Sequence, residues 1–287
     1  MPLISSTEML QIAKTNHYAV CAFNIHSFEM LQAVAEAAAE TSSPIIIQTS
    51  INTVKYLGLN YLVAAAAAAS ENTGIPITLH LDHCTDFDMI VRCIRAGYTS
   101  VMIDASMHPF EENVRQTRKI VEIASAGGVN VEAELGNVGN ASEDSLPGVE
   151  GLELADPEAC KLFVESTRVA TLAPAIGTVH GITRQHPEID FARIGQIAEN
   201  VDAPLVLHGG SSIHAAHLRK AVELGIAKVN VATELRVAFS EAIRQVFSSR
   251  PEENDPRRYM NAAKEAVKRL AIEKMEICGC IGKAGDI

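Results

Sequence analysis

Positive charge is in short supply in this sequence: 24 Lys and Arg stand against 35 Asp and Glu, a formal net charge of −11. A nucleic-acid-binding surface needs clustered Lys and Arg, so that class of partner is excluded. The same balance argues, at first sight, against an anionic ligand. Long apolar runs are also missing. The longest, Tyr61–Ala69, falls well short of the roughly 20 residues that a membrane span requires, and its alanines suit a close-packed helix. The segment Met1–Gln11 has neither the basic start nor the apolar stretch of a secretory signal. The cysteines Cys21, Cys84, Cys93, Cys160, Cys278 and Cys280 include no CxxC pair. They are read as the free thiols of a reducing compartment, so a cytoplasmic protein with no membrane or nucleic-acid partner is expected.

What is present is core. Apolar residues make up 47% of 287, enough for one α/β barrel or two small domains. Short runs rich in Val, Ile and Leu alternate with segments of helical period. The strand-like runs are Ala19–Asn24, Pro44–Gln48, Ile77–Asp82, Ser100–Asp104, Val129–Leu135, Thr171–Ile176, Leu205–His208 and Lys228–Val231. Helical patterns fall at Glu29–Glu40, Tyr61–Thr73, Phe87–Arg95, Phe110–Ala126, Pro157–Ser166, Phe191–Glu199 and Ala215–Leu224, with a last one near Met260–Glu276. Strands apolar on both faces belong to a parallel sheet covered by helices. Eight such units predict an α/β fold, a (β/α)8 TIM barrel. A doubly wound open sheet would carry a Gly-rich fingerprint after its first strand, and none is there. No linker divides the chain, so residues 1–287 read as one barrel domain with 251–287 as a C-terminal helical extension. The aperiodic stretch Asn137–Leu152, too long for an ordinary βα turn, reads as a functional loop.

Chemistry in such a barrel collects at the C-terminal ends of the strands. Read in order, those ends carry Asn24, Ser50, Asp82 with His83, Asp104, Glu132 with Glu134, His180-Gly181, His208-Gly-Gly-Ser211 and Asn230–Thr233. Three of them bear His, a common Zn2+ ligand, and three protein ligands leave one position open for substrate. His80 competes with His83 for the first place, and strand parity does not decide between them. His17, His186, His214 and His217 read as surface residues, while His26 and His108 lack a partner motif. Asp82 adjoins the proposed ligand as a proton acceptor, or else orients it. The glycine-rich turns offer backbone N–H groups near helix starts, which bind phosphate without Lys or Arg.

These segments resemble the class II, zinc-dependent ketose-bisphosphate aldolases, most closely the tagatose-bisphosphate branch. The likeness runs from Tyr18–His26 to Asn254–Arg257. It is carried by Leu79-His-Leu-Asp82-His83, Val131-Glu-Ala-Glu134-Leu-Gly136, Ala175-Ile-Gly-Thr-Val-His180-Gly181, Leu205-Val-Leu-His208-Gly-Gly-Ser211 and Asn230-Val-Ala-Thr233. It implies a zinc site of His83, His180 and His208, and Asp82 as the acid/base. It places Gly181, Gly209, Gly210, Ser211, Asn230, Val231, Ala232 and Thr233 around dihydroxyacetone phosphate, with Na+ or K+ near that phosphate. Asn24 joins this substrate-binding set. Asp104 and Glu134 match an alternative, buried metal position or its surround. Ser50 and Arg257 match positions that meet the distal phosphate, the arginine coming from a neighbouring subunit, so a homodimer or homotetramer is implied. Arg184 stands where some members have a phosphate-binding Lys. The implied reaction cleaves tagatose or fructose 1,6-bisphosphate through a zinc-stabilised ene-diolate.

Two departures bear on that reading. The family loop usually reads Gly-Gly-x-Glu-Asp, but here it reads Gly139-Asn-Ala-Ser142-Glu143-Asp144. Ungapped, the second acid falls on Ser142, and a one-residue shift brings in Glu143. Ala232 follows the tagatose branch, whereas Ser50 follows the fructose branch. A ketose 1-phosphate with another group at C6 (a sulfonate, for example), a Schiff-base aldolase using Lys228, and a non-catalytic subunit of an aldolase complex with an accessory partner stay open.

Overall fold

A computed structural model of the chain describes residues 2–140, 153–181, 188–211 and 213–287. Eight strands close into a parallel barrel: β1 (Val20–Asn24), β2 (Ile45–Ser50), β3 (Ile77–Cys84), β4 (Ser100–Ile103), β5 (Asn130–Leu135), β7 (Thr171–Pro174), β9 (Leu205–Leu207) and β10 (Ile226–Val231). Their neighbours around the ring are β1-β10-β9-β7-β5-β4-β3-β2, and β2 pairs again with β1. Each strand matches an apolar run in the sequence. Nearly every strand residue is buried, because the inner face packs within the barrel and the outer face meets helices. Two short strands, β6 (Gly139–Asn140) and β8 (Val179–His180), pair in parallel outside the barrel ring.

The helices between strands start where the sequence supplies caps. Ser27 accepts from Met30 N–H at the start of α2 (Phe28–Thr41). Asp86 accepts from Met89 N–H before α5 (Phe87–Ala96), and Asp156 from Ala159 N–H before α7 (Pro157–Thr167), where Pro occupies the first turn. Helices α6 (Phe110–Ala126), α8 (Phe191–Asn200) and α9 (Ala215–Glu223) complete the set that was legible as helical period. Where the apolar run Tyr61–Ala69 was expected, α4 spans Leu59–Thr73 and stops at Gly74, whose φ of +69° is the left-handed geometry glycine takes at no steric cost.

Three helices have no counterpart in the sequence reading. Helix α1 (Ser6–Thr15) and the residues before it cover the N-terminal end of the barrel. There Ile4 N–H donates to Ile77 O at 3.0 Å, and Ser6 N–H donates to Asn130 Oδ1 at 3.2 Å. Helix α3 (Ile51–Leu57) follows β2 directly. Helix α10 (Thr233–Ser249) buries only Leu235, so its pattern carries little core signal. The last helix, α11 (Pro256–Cys278), begins earlier than its periodicity indicates, because Asp255 caps it and Pro256 fits its first turn. It lies against α2, with Lys264 2.6 Å from Glu36 and Lys268 2.7 Å from Glu40. Among the described residues no helix is long and apolar enough to cross a membrane.

Candidate active site

The strand ends build a cavity of about 560 Å³ at the C-terminal mouth of the barrel, lined by Asn24, Asp82, His180, Gly181, Gly209 and Ser211 together with Asn230, Ala232, Thr233 and Arg236. Three histidines meet beside it. The ring centroids of His83 lie 4.8 Å from those of His180 and 4.6 Å from those of His208, and His180 and His208 are 5.7 Å apart. One ring nitrogen from each falls within 4.8 Å of the others, and this is the one such group of three potential metal ligands among the described residues.

His83 reaches this point through a backbone irregularity. Its φ is 45°, in the left-handed region that side chains rarely adopt, and the β3–β4 register shifts between Leu81 and Cys84. In a regular strand, neighbours point to opposite faces. The bulge lets Asp82 and His83 both serve the mouth, which is why parity does not identify His83 from sequence. His80 lies deeper, 1% exposed, with Nδ1 2.6 Å from Ser100 Oγ. It stands apart from the group of three, and burial together with the Lys228 charge lowers its pKa to about 3.

Carboxylates fix two of the three rings. Asp104 Oδ2 lies 2.8 Å from His83 Nδ1, and its Oδ1 accepts from Ser106 N–H and Oγ. Burial alone would raise the Asp104 pKa, but His83 and the Ser106 bonds hold it far below the usual carboxylate range. Glu134 Oε2 lies 2.8 Å from His208 Nδ1, and Glu132 Oε1 lies 3.1 Å from His208 Nε2. Asp104 and Glu134 thus both touch the histidine group. With Nδ1 donating to Asp104, His83 presents Nε2 with its lone pair free. That atom and both ring nitrogens of His180 are buried without a hydrogen-bond partner among the described residues. Buried unpartnered ring nitrogens are costly unless something binds them. Imidazoles oriented by carboxylates are the donor set that zinc takes; His83 and His180 offer it free nitrogens, and at His208 a metal would replace Glu134 at Nδ1 while Glu132 keeps Nε2.

Asp82 is 5% exposed and held from both sides. Asn24 Nδ2 donates to its Oδ2 at 2.7 Å, Asn230 Nδ2 approaches its Oδ1 at 3.4 Å, and Gln48 Nε2 donates in turn to Asn24 Oδ1 at 2.9 Å. Burial would raise its pKa, yet His83, His208 and Lys228 outweigh that and keep it below the ordinary carboxylate value. Ser50 stands beside Asp82 in the β2–β3 register, where its Oγ caps α3.

The glycine turns are compact. Gly209 has φ +70°, and a Cβ there would lie 2.3 Å from Val179 O; a Cβ on Gly210 would lie 2.5 Å from Asn230 O. Gly210 N–H donates to Asn230 O at 3.0 Å, and Ala232 N–H donates to Ser211 Oγ at 3.2 Å. Thr233 opens α10 next to buried Val231, and Gly181 lines the same cavity with φ +99°. Arg257 is not brought to this cavity. It is exposed at the start of α11 and paired with Asp255 at 2.9 Å. Glu143, Ser142 and Arg184 lie outside the described residues, as does His186, while His17, His108, His214 and His217 are exposed. Two contributors escaped the sequence reading. Gln48 orients Asn24, and Arg236 lines the cavity with Nη2 3.3 Å from Thr233 Oγ1. Arg236 follows the Asn230–Thr233 segment by three residues on α10, so recognising that helix would have found it.

The family model for class-II fructose-bisphosphate aldolases matches residues 4–283. The chain is 44% identical over 287 residues to a probable fructose-bisphosphate aldolase of Bacillus subtilis (strain 168), covering 99% of this chain and 100% of that one. Among solved structures it is similar to the YdjI aldolase of Escherichia coli K12 at 32% identity, with a TM-score of 0.86, covering 98% of this chain and 99% of that chain. A putative fructose-1,6-biphosphate aldolase of Coccidioides immitis matches at 30% identity with a TM-score of 0.86, over 98% of both chains. With almost the whole chain matched and the histidine group at the barrel mouth, the protein belongs to the class II fructose-bisphosphate aldolase family.

Proposed function

We propose that the protein cleaves a ketose 1,6-bisphosphate reversibly to dihydroxyacetone phosphate and glyceraldehyde 3-phosphate, with zinc held by His83, His180 and His208. The observation that carries the reading is the meeting of three histidines and a fixed carboxylate, Asp82, at one cavity. When bound, zinc supplies a Lewis acid that draws off the negative charge left when the C3–C4 bond breaks. Asp82 takes the C4 hydroxyl proton; its depressed pKa keeps it ionised at neutral pH, and Asn24 and Asn230 fix its oxygens. Asp104 holds the ring of His83 and Glu132 that of His208, whose Nδ1 Glu134 would yield to the metal. Gly181, Gly209–Ser211 and Asn230–Thr233 surround the C1 phosphate, beside Na+ or K+, and offer it hydroxyl groups and those backbone N–H groups not already bonded, as Gly210 and Ala232 are, within the turns. Ser50, and Arg257 from a second subunit of a homodimer or homotetramer, meet the distal phosphate. Glu143 supplies the second proton, and Arg184 adds a cation.

Tagatose 1,6-bisphosphate is the first substrate to test, because Ala232 stands where fructose enzymes usually carry Asp or Asn. Fructose 1,6-bisphosphate is the second reading, favoured by Ser50 and by the name of the Bacillus subtilis relative. A panel of phosphorylated ketoses, including 1-phosphates with another anionic group at C6, is assayed by coupled detection of dihydroxyacetone phosphate. Cleavage of the tagatose compound with the highest kcat/KM, abolished by chelator and restored by zinc, is expected. Cleavage of no member rejects the function, and full activity in metal-stripped protein rejects the zinc.

A further inference from the structure

The barrel interior holds a buried ion pair that makes no contact with the proposed substrate, its lysine acting on the chemistry so far only through its charge near Asp82. Lys228, on β10, and Glu132, on β5, are each 1% exposed, and Lys228 Nζ lies 2.7 Å from Glu132 Oε2. Burying two charges is costly, and apolar side chains of similar volume would fill the same space without that cost. The arrangement of the two carboxylate oxygens explains the pair. Oε2 receives Lys228 and, at 3.3 Å, the Thr171 hydroxyl. Oε1 is thereby turned the other way and faces His208 Nε2 at 3.1 Å, with His80 Nε2 at 3.9 Å. His208 is the most deeply buried of the three site histidines. It is held between Glu132 on one side and Glu134 on the other.

We propose that Lys228 is a positioning residue. By fixing Glu132, it sets the angle at which His208 presents its ring to the three-histidine site. Lys228 does not line the cavity. Its ammonium group is engaged with a carboxylate at ion-pair distance, which is the opposite of what an amine nucleophile needs. The inference rests on the reading that His83, His180 and His208 hold a metal, but it assigns a task to two residues outside that set. The task is mechanical: a ring that must meet two others at a point cannot swing about its Cβ–Cγ bond, and groups contacting a ligand histidine typically change metal affinity 10- to 100-fold when removed.

The test uses the full-length protein as wild type, Lys228→Met, Glu132→Gln and the double variant Lys228→Met/Glu132→Leu. Zinc affinity is measured by competition with a chromophoric chelator, the ligand field by the visible spectrum of the Co2+-substituted protein, and folding by the thermal midpoint. Lys228→Met is expected to weaken zinc binding by about 10- to 100-fold and to shift the cobalt bands. The double variant removes both charges together, so it should recover the thermal midpoint while keeping the weakened affinity and the altered spectrum. This separates positioning from core filling even if Lys228→Met alone fails to fold. A double variant with wild-type zinc affinity and an unchanged cobalt spectrum overturns the inference while leaving the metal site standing. Wild-type protein whose zinc binding is indifferent to His208→Ala overturns both. Borohydride trapping of dihydroxyacetone phosphate on Lys228 also overturns it, since the amine would then be the nucleophile.

Discussion

Gly209→Ala offers a sharp test of how the site is built. A Cβ at residue 209 would lie 2.3 Å from Val179 O and 2.7 Å from Val179 C, both backbone atoms, whereas ordinary contact begins near 3.4 Å. Something must therefore move by about 1 Å, and backbone yields less readily than a side-chain tip. Val179 is the residue before His180, so the displacement is delivered to one of the three histidines. A misplacement of about 1 Å in a catalytic constellation costs on the order of 100-fold in rate, or about 2.7 kcal/mol of transition-state stabilisation. The left-handed backbone adds a separate cost of about 1–2 kcal/mol in stability. Gly74→Ala isolates that second effect, because Gly74 has nearly the same φ, +69° against +70°, and nothing within 4 Å of its would-be Cβ. Both variants should melt earlier than wild type, but only Gly209→Ala should lose zinc affinity and kcat/KM. Zinc competition and the coupled aldolase assay on the two proteins decide the matter. Wild-type zinc affinity and turnover in Gly209→Ala would refute the claim that the 179–180 backbone is held by this contact.

Further outcomes follow from other contacts. Asp82→Ala should lower turnover by about 10²–10⁴-fold and leave zinc stoichiometry intact. Loss of zinc in that variant would make Asp82 a support for the neighbouring histidine instead of a base. Arg236→Ala should raise KM about tenfold, the scale of one hydrogen bond to a charged group, with kcat little changed and partial rescue by Lys; an unaltered KM removes Arg236 from substrate binding. His80 is buried neutral with a pKa near 3, against about 6.5 in an unfolded chain. A depressed histidine pKa means that stability is fully present above pH 6.5 and is lost as the pH falls toward 3, with a ceiling of about 5 kcal/mol. Denaturant titrations of wild type and His80→Asn should converge as the pH drops through this window, and a constant difference would show that His80 does not titrate on unfolding.

The barrel was legible because a parallel strand buried on both faces writes its position as a run of Val, Ile and Leu. All eight runs became strands. Helix α10 was not legible, since only Leu235 reports burial within its own chain, and Arg236 went unnoticed with it. The choice between His80 and His83 depends on the bulge at Leu81–Cys84, and alternation cannot encode an irregularity in alternation. Glu132 and Lys228 stand 96 residues apart. Each is visible in the sequence as a charge within an apolar strand, but their pairing exists only once the barrel closes. The Gly209 contact is similarly tertiary, because a glycine doublet after a strand reads equally well as an ordinary turn.

The bulge in β3 has a consequence for tolerance. His180 and His208 come from separate strands, so their distances from His83 are set by packing across the barrel. Asp82 and His83 are joined by one peptide bond, which fixes their Cα atoms about 3.8 Å apart. The proposed proton acceptor is therefore tethered directly to one of the proposed ligands. The spacing of these two backbone positions is a covalent dimension of the chain, and the left-handed backbone at His83 turns both side chains toward the mouth.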